Sequence, residues 1–201
     1  MSSMTAKPGA EAATMLPRVI VFDLDGTLWT PEMYQLWGGA PFKPHKQNPS
    51  IMIDKAGTEV CLIGKSRDIL QTLATDPMWA RTYLAVSSTC DVPKWAWELL
   101  EKFTFTDCAG KTVPMHTLFG DRIEIYKGNK ASHHEAILQK VKNIDPSVSE
   151  YAQMLFFDNQ TDNVHHVSRI GVTSYYCPGG MTEGTFEKGL EMWRRAQVSK
   201  M

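Results

Sequence analysis

Short runs of apolar residues recur along the chain, and each run ends in a group of polar residues. Such runs are typical of strands that are buried on both faces of a parallel sheet. Between them, apolar residues recur at helical spacing, which predicts amphipathic helices. Strands that alternate with helices predict an α/β fold, a doubly wound parallel sheet with helices on both faces. The predicted strands are 19–22, 83–86, 123–126, 154–157 and 171–176, and the predicted helices are 64–75, 91–103, 130–141, 162–169 and 181–197.

Residues 31–49 interrupt this alternation, because they are dense in proline, glycine and aromatic residues and predict an irregular surface loop. Two short apolar runs follow at 51–53 and 58–63, and the Gly57 turn between them predicts a β-hairpin. We call residues 31–63 the flap. The segment between residues 25 and 87 has no room for a helical lid, so no large cap domain is expected.

The composition limits the possible partners. The chain has 201 residues, which fits one domain, and its formal net charge is −1, which gives no general attraction to nucleic acid or to an anionic membrane. The four cysteines form no Cys-x-x-Cys pair, so reduced thiols and a cytoplasmic location are expected. Residues 1–17 predict a flexible tail, and residues 18–201 predict a single domain.

The first predicted strand ends in Asp23-Leu24-Asp25-Gly26-Thr27, so two carboxylates emerge where a strand ends. Alternation along the chain puts Asp23 and Asp25 on the same side. In open α/β sheets, ligands bind at this end of the strands. Two carboxylates held so close repel each other unless a cation lies between them, and their oxygens suit Mg²⁺. The motif therefore predicts a magnesium site.

Polar residues also follow two other predicted strands. Ser87 and Ser88 end the second strand and are expected to bind phosphate oxygens, Ser87 through its hydroxyl and nearby backbone N–H groups. Asp158, with Asn159 beside it, ends the strand at 154–157 and is expected to complete the metal shell. Because the ends of parallel strands meet at one edge, these residues are expected to converge. The predicted metal ligands are Asp23, Asp25, Asp158 and Asn159.

This set of residues suits the hydrolysis of a phosphate monoester. Asp23 is the predicted nucleophile, because a carboxylate can attack phosphorus and form an aspartyl-phosphate. Asp25 is predicted to protonate the leaving alcohol and then to deprotonate the attacking water. Lys130, at the start of a predicted helix, is predicted to bring a positive charge to the nucleophile and to the transferring group. Lys127 could take this role, but the position of Lys130 at the helix start favours Lys130.

The combination of Asp-x-Asp-Gly-Thr, a hydroxyl after the second strand, a downstream lysine and an acidic strand end resembles the haloacid dehalogenase (HAD) superfamily. Segments 22–29, 124–130 and 154–158 further resemble its small-cap branch, that of magnesium-dependent phosphatase-1, and the likeness covers about residues 18–197. The resemblance implies a Rossmann-like core and a Mg²⁺-dependent phosphatase. It also implies that the substrate is a phosphorylated small molecule, such as a phosphosugar, or a phosphorylated protein side chain such as phosphotyrosine.

Two positions depart from the pattern of this branch. Ser88 stands where an arginine normally follows the motif serine, which removes a bidentate contact to phosphate. Asn159 stands where a second acid is usual, so either Asp158 is the metal ligand or the metal binds more weakly. Asp162 could supply the missing carboxylate through a water. Two alternatives to a phosphatase stay open: a module that binds a phosphorylated ligand without catalysis, and a phosphotransferase to an acceptor other than water.

Two pairs of adjacent histidines, His133-His134 and His165-His166, fall in predicted helices. Adjacent helical residues point about 100° apart, so neither pair is expected to chelate one metal ion. Both pairs are expected at a helix surface or in partly packed positions.

Overall fold

The computed structural model describes residues 15–199, in which strands alternate with helices as the hydrophobic pattern predicts. The strands are β1 (Val19–Phe22), β2 (Trp29–Thr30), β3 (Lys43–Pro44), β4 (Ile51–Ile53), β5 (Glu59–Leu62), β6 (Tyr83–Ser88), β7 (Thr104–Thr106), β8 (Thr112–Pro114), β9 (Ile123–Ile125), β10 (Met154–Asp158) and β11 (Thr173–Tyr176). The helices are α1 (Ser66–Thr75), α2 (Pro93–Lys102), α3 (Met115–Phe119), α4 (Lys130–Ile144), α5 (Thr161–Arg169) and α6 (Thr185–Val198). Single 3-10 turns lie at Met33–Gln35, Pro77–Trp79 and Tyr151–Gln153.

A parallel sheet with the strand order β11-β10-β1-β6-β9 forms the centre of the fold. Strand β1 lies in the middle, with β6 on one side and β10 on the other. Phe22, the last residue of β1, is in register with Val86 of β6 and Phe157 of β10. The next residue of each of these three strands therefore lies at the same level, at the carboxyl edge of the sheet.

Both faces of the sheet are buried, which explains why β1 is apolar at every position. Ile20 and Phe22 belong to one hydrophobic cluster, to which α1, α2 and α6 contribute, and Val19 and Val21 belong to another, to which α4 and α5 contribute. The predicted doubly wound arrangement is thereby confirmed. Removal of apolar surface from water on both faces is the main force that holds the sheet and helices together.

The flap belongs to a larger sheet than the sequence predicts. The expected hairpin is present as β4 and β5, but β2 and β3 extend it on either side into an antiparallel sheet with the order β2-β5-β4-β3. Strands of two residues are too short to show an alternating pattern, so β2 and β3 could not be recognised. The hairpin of β7 and β8 was also not predicted, although the alternation in Thr104-Phe105-Thr106 was a usable signal.

Most of the predicted N-terminal tail, residues 1–14, lies outside the described residues. Met15 and Leu16, which were also assigned to this tail, are partly buried and pack against the larger hydrophobic cluster. The boundary at residue 18 stays a prediction. Within residues 15–199, no helix combines the length and the apolar character that crossing a bilayer requires.

Candidate active site

Lys130 joins the carboxyl ends of three strands. Helix α4 begins at this residue because the side chain of Asn129 caps it by accepting a backbone N–H of the first turn. The Lys130 ammonium then donates to Asp23 Oδ1 at 2.5 Å, to Asp158 Oδ2 at 2.7 Å and to the carbonyl oxygen of Ser87 at 2.8 Å. All three charged groups are buried. We call Asp23, Lys130 and Asp158 the floor; of the three, only Asp23 lines the adjacent cleft.

The floor holds two negative charges and one positive charge away from water. Burial alone would lower the pKa of Lys130, but the carboxylates of Asp23 and Asp158 outweigh burial and raise that pKa, so the amine stays protonated. Burial raises the pKa of Asp23 to about 7; the Lys130 charge opposes this rise and Asp158 adds to it. A further positive charge beside Asp23 would favour its ionised form.

Asp158 and Asn159 at the end of β10 face in different directions. The Asp158 carboxylate accepts from Asn163 Nδ2 at 3.1 Å and from the Gln160 N–H at 2.7 Å, in addition to the floor ammonium. It is fully buried and does not line the cleft, whereas Asn159 and Asn163 do. Asp162 is exposed and lies outside the cleft lining. Of the two residues that end the strand, Asn159 is therefore the one with a side chain at the cleft.

One carboxylate oxygen of Asp23 and the amide oxygen of Asn159 both lie near the hydroxyl of Thr27. Thr27 Oγ1 lies 3.2 Å from Asp23 Oδ2 and 3.4 Å from Asn159 Oδ1. Because a hydroxyl has one proton, Thr27 can donate to only one of these oxygens at a time. Gly26 leaves the space in which Asn159 lies, since a Cβ at Gly26 would be 2.3 Å from Asn159 Nδ2. A pair of neighbouring oxygens with one donor between them fits a hard cation such as Mg²⁺.

Asp25 lines the same cleft but is tied to the segment that enters the flap. Its Oδ1 accepts from Trp29 Nε1 at 2.6 Å, and its Oδ2 accepts from the Met33 N–H at 3.0 Å. Burial raises the pKa of Asp25, while these two hydrogen bonds oppose the rise. A carboxyl whose pKa is raised and whose two oxygens are both occupied suits an acid and base better than a metal ligand.

The two serines at the end of β6 also face in different directions. Ser88 lines the cleft. Ser87 is fully buried, and its Oγ lies 3.2 Å from His133 Nδ1. The expectation that His133 and His134 lie at the helix surface or in partly packed positions is wrong, because both are fully buried. They fill the space between α4 and the sheet: His133 packs on the Tyr126 ring, and Nδ1 of His134 donates to the Lys130 carbonyl.

The cleft above the floor has a volume of about 220 Å³ and an acidic lining. Its carboxylates belong to Asp23, Asp25, Glu32 and Asp91, and its other lining side chains are amides, hydroxyls and one thiol. In the part of the chain that the structure describes, no lysine, arginine or histidine lines the cleft. Lys127, the alternative to Lys130, is exposed and pairs with Asp91 at 2.6 Å.

Sequence comparison groups this chain with known phosphatases. The acid phosphatase family model matches residues 15–196. The chain belongs to the acid phosphatase family. It is 35% identical over 157 residues to a HAD-like hydrolase superfamily protein of Schizosaccharomyces pombe, and the match covers 78% of this chain and 83% of that protein. It is also 32% identical over 186 residues to magnesium-dependent phosphatase 1 of Homo sapiens, with 92% of both chains covered.

A solved structure shares the fold of this chain. It is the N-terminal part of a Bacteroides fragilis protein that contains a phosphatase domain and is complexed with Mg; the TM-score is 0.50 at 18% identity, and the match covers 88% of this chain and 40% of that one. At this identity, the likeness shows the fold alone. Together with the family match, it confirms the predicted HAD-type α/β fold. The family match and the human relative confirm the predicted phosphoric monoester hydrolase.

The sequence did not single out every polar residue of this candidate site. Glu32 lies in the flap without a recognisable motif around it. Asn163 stands in the first turn of α5, directly after the acidic strand end, and that position was a usable signal. The burial of His133 also has a signal in the sequence, because its position three residues after Lys130 places it on nearly the same face of α4.

Proposed function

We propose that this protein is a Mg²⁺-dependent phosphatase that hydrolyses phosphate monoesters through an aspartyl-phosphate on Asp23. The carrying observation is the position of Asp23 at the carboxyl end of the central strand. Lys130 holds one of its carboxylate oxygens, and the residue lines an open cleft. The name of the human relative supports magnesium dependence. The open cleft suits a phosphorylated small molecule or a phosphorylated protein side chain.

In this proposal, the chain's own residues carry out two displacements at phosphorus. A carboxylate oxygen of Asp23 attacks phosphorus and forms an acyl-phosphate bond, while the bond from phosphorus to the substrate oxygen breaks. Asp25 gives its proton to the leaving oxygen and then takes one from the water that attacks the acyl-phosphate; the bond from phosphorus to Asp23 breaks, which releases inorganic phosphate and the free carboxylate. Lys130 holds Asp23 in place and compensates its charge, and Ser88 provides a hydroxyl for the phosphoryl oxygens.

Asp23 and Asn159 are the residues that would hold Mg²⁺, and Asp158 would support them through Lys130 and Asn163. When bound, Mg²⁺ would neutralise charge on the phosphoryl group and so allow an anionic nucleophile to approach an anionic substrate. Asn159 contributes an uncharged oxygen, so we expect weaker metal binding than with two acids at the end of the strand.

The first experiment is hydrolysis of p-nitrophenyl phosphate by the full chain and by Asp23→Asn, with Mg²⁺ and with a chelator. Asp23→Asn is expected to lose at least about a thousandfold in kcat, because an amide oxygen is a poor nucleophile. Asp68→Asn, which alters an exposed aspartate on α1, is the matched control and should keep full activity. Unchanged turnover in Asp23→Asn, or full activity without a divalent cation, would contradict the proposal.

The same assay separates hydrolysis from transfer to another acceptor. Equal yields of free phosphate and of nitrophenol support hydrolysis. Nitrophenol released only when an alcohol acceptor is added, without free phosphate, would indicate a phosphotransferase instead. Binding of fluoroberyllate with Mg²⁺, detected as a rise in Tm in the wild type and lost in Asp23→Asn, would support the acyl-phosphate step independently of substrate choice.

A further inference from the structure

Glu32 is held at the mouth of the cleft by its neighbour in sequence. The side chain of Met33 is fully buried in the core, and its backbone N–H donates to Asp25 Oδ2 at 3.0 Å. The residues on either side of Met33 are thereby fixed beside the site, and both Glu32 and Tyr34 line the cleft. Their position follows from contacts of the backbone and of the core, so substrate binding need not create it.

The carboxylate of Glu32 has no positive partner, in contrast to those of Asp23, Asp91 and Asp158 around the same site. The Lys130 charge is shared between Asp23 and Asp158, and the Lys127 charge is paired with Asp91. No lysine, arginine or histidine within residues 15–199 forms an ion pair with Glu32. A negative charge at the mouth of a partly enclosed cleft attracts cations and repels anions.

Tyr34 adds a second feature that favours a cation. Its side chain is 62% exposed although it lines the cleft, so its ring is accessible to a ligand. The face of an aromatic ring attracts ammonium and guanidinium groups. Burial raises the pKa of Glu32, and Asp25 and Asp158 raise it further, which indicates that its carboxylate lies in the same negative field as the site.

We propose that Glu32 and Tyr34 select phosphate monoesters whose organic part carries a cationic group, an ammonium or a guanidinium, which lies at the mouth of the cleft while the phosphate lies at the floor. This inference rests on the proposed phosphatase function and narrows its substrate class. The site should disfavour esters with a second anionic group, because Glu32 would repel that group and no basic side chain of the described cleft lining would bind it.

The test uses three phenyl phosphates that differ only at the para position: aminomethyl, methyl and carboxymethyl. They are similar in size, and because the ammonium group makes its leaving phenol more acidic, the effect of the distal charge is taken from the change in the kcat/KM ratio between the wild type and the Glu32 variants. In Mg²⁺ at low salt, the wild type is expected to prefer the aminomethyl to the carboxymethyl ester by about tenfold, and the preference should decrease as salt is added.

Three variants locate the source of the preference. Glu32→Gln should reduce it by about fivefold, with little change for the uncharged methyl ester, and Glu32→Lys should reverse it. Glu101→Gln removes the same charge from an exposed position on α2 outside the cleft and should leave the preference unchanged. The Tm of each variant shows whether it is folded.

The outcomes separate this inference from the proposed function on which it rests. Equal Mg²⁺-dependent hydrolysis of all three esters, or a preference that Glu32→Gln does not alter, would overturn the selection by Glu32 and leave the phosphatase intact. Failure to hydrolyse any of the three esters would overturn the proposed function, and with it this inference.

Discussion

The floor and the flap border the same site but are held in place by different forces. The floor residues extend from the carboxyl edge of the parallel sheet and from the start of α4, and their charged groups are all buried. The flap is built from strands of two to four residues, and its loop exposes Tyr34 and 97% of the Trp37 side chain. Ion pairs between buried side chains fix the floor, whereas the flap is held by hydrogen bonds between its short strands, by backbone N–H groups that donate to a few carboxylates, and by apolar side chains such as Met33 and Phe42 in the core.

This difference suggests a division of work. Phosphoryl transfer needs a nucleophile and a counter-charge at a fixed separation, which a sheet in a fixed register provides. Recognition of the organic part of a substrate needs only a complementary surface, and such surfaces are commonly formed by loops on a rigid scaffold. We therefore expect substitutions in the floor to abolish turnover, and substitutions in the flap to change which ester is turned over.

The largest effect is expected for Lys130→Met. The substitution leaves two buried carboxylates without a counter-charge, which costs about 3–5 kcal/mol of the free energy of unfolding. It also releases Asp23 from its fixed orientation, so kcat should decrease by about a thousandfold or more. Urea unfolding at neutral pH measures the first effect, and p-nitrophenyl phosphate turnover measures the second.

Lys127→Met is the matched control for this prediction. It removes the same charge three residues earlier, from an exposed side chain whose ion pair with Asp91 is a surface pair. Such pairs contribute little to stability. Comparable losses in the two variants would show that the floor has no special dependence on Lys130.

The sequence predicts that the floor residues meet, because their positions follow from patterns that are visible in the sequence. Apolar runs mark the strands, carboxylates mark two of their ends, and Gly128-Asn129 marks the start of α4. In a parallel sheet these positions meet at one edge whatever the details of packing. Asp23 and Asp158 are accordingly both within hydrogen-bond distance of the Lys130 ammonium.

The directions of individual side chains could not be predicted in the same way. Asp158 faces Lys130 while Asn159 faces the cleft, and Ser87 faces His133 while Ser88 faces the cleft. Alternation along a strand predicts that neighbours differ, but not which of them reaches the ligand. The flap resisted prediction for another reason: its two-residue strands are defined by partners distant in sequence, and the sequence alone does not show those partners.

As the pH falls, the packing around the floor residues should be destabilised before the flap is affected. His134 is buried beside the floor, and burial is the largest cause that lowers its pKa from 6.5 to about 3; the Lys130 charge adds to this. The folded state therefore resists protonation that the unfolded chain accepts, so stability is present above pH 6.5 and is lost as the pH falls from there towards 3. At pH 5, the lowered pKa of His134 alone should make the free energy of unfolding about 2 kcal/mol smaller than at neutral pH.

His134→Gln tests this prediction because glutamine does not titrate. In urea unfolding, the free energy of unfolding should fall by about 2 kcal/mol less between pH 7 and pH 5 in the variant than in the wild type. His166→Gln, in an exposed position on α5, should retain the pH dependence of the wild type. If both variants lose stability on acidification as the wild type does, the source is another group.

The smallest predicted effect concerns Asp54, the carboxylate that pins the flap. Its Oδ1 accepts the N–H groups of Ala56 and Thr58 in the hairpin turn, and its Oδ2 accepts those of Gly38 and Gly39 in the preceding loop. Burial alone would raise the pKa of Asp54, but these four N–H groups outweigh it and lower the pKa below 3.8. The stabilisation is therefore present above pH 3.8 and is lost as the pH falls through the lowered pKa.

Asp54→Asn should loosen the flap while leaving the floor intact, because the amide nitrogen cannot accept the N–H groups that one carboxylate oxygen accepted. We expect the free energy of unfolding to decrease by about 1–2 kcal/mol, and KM for p-nitrophenyl phosphate to change more than kcat. Hydrogen exchange should accelerate at Gly38 and Gly39 but not in β1.

Asp107→Asn is the matched control, since Asp107 accepts N–H groups two and four residues ahead in the hairpin of β7 and β8, as Asp54 does in its own hairpin. Equal effects of the two variants on KM would mean that the flap contributes to the site no more than a remote hairpin does.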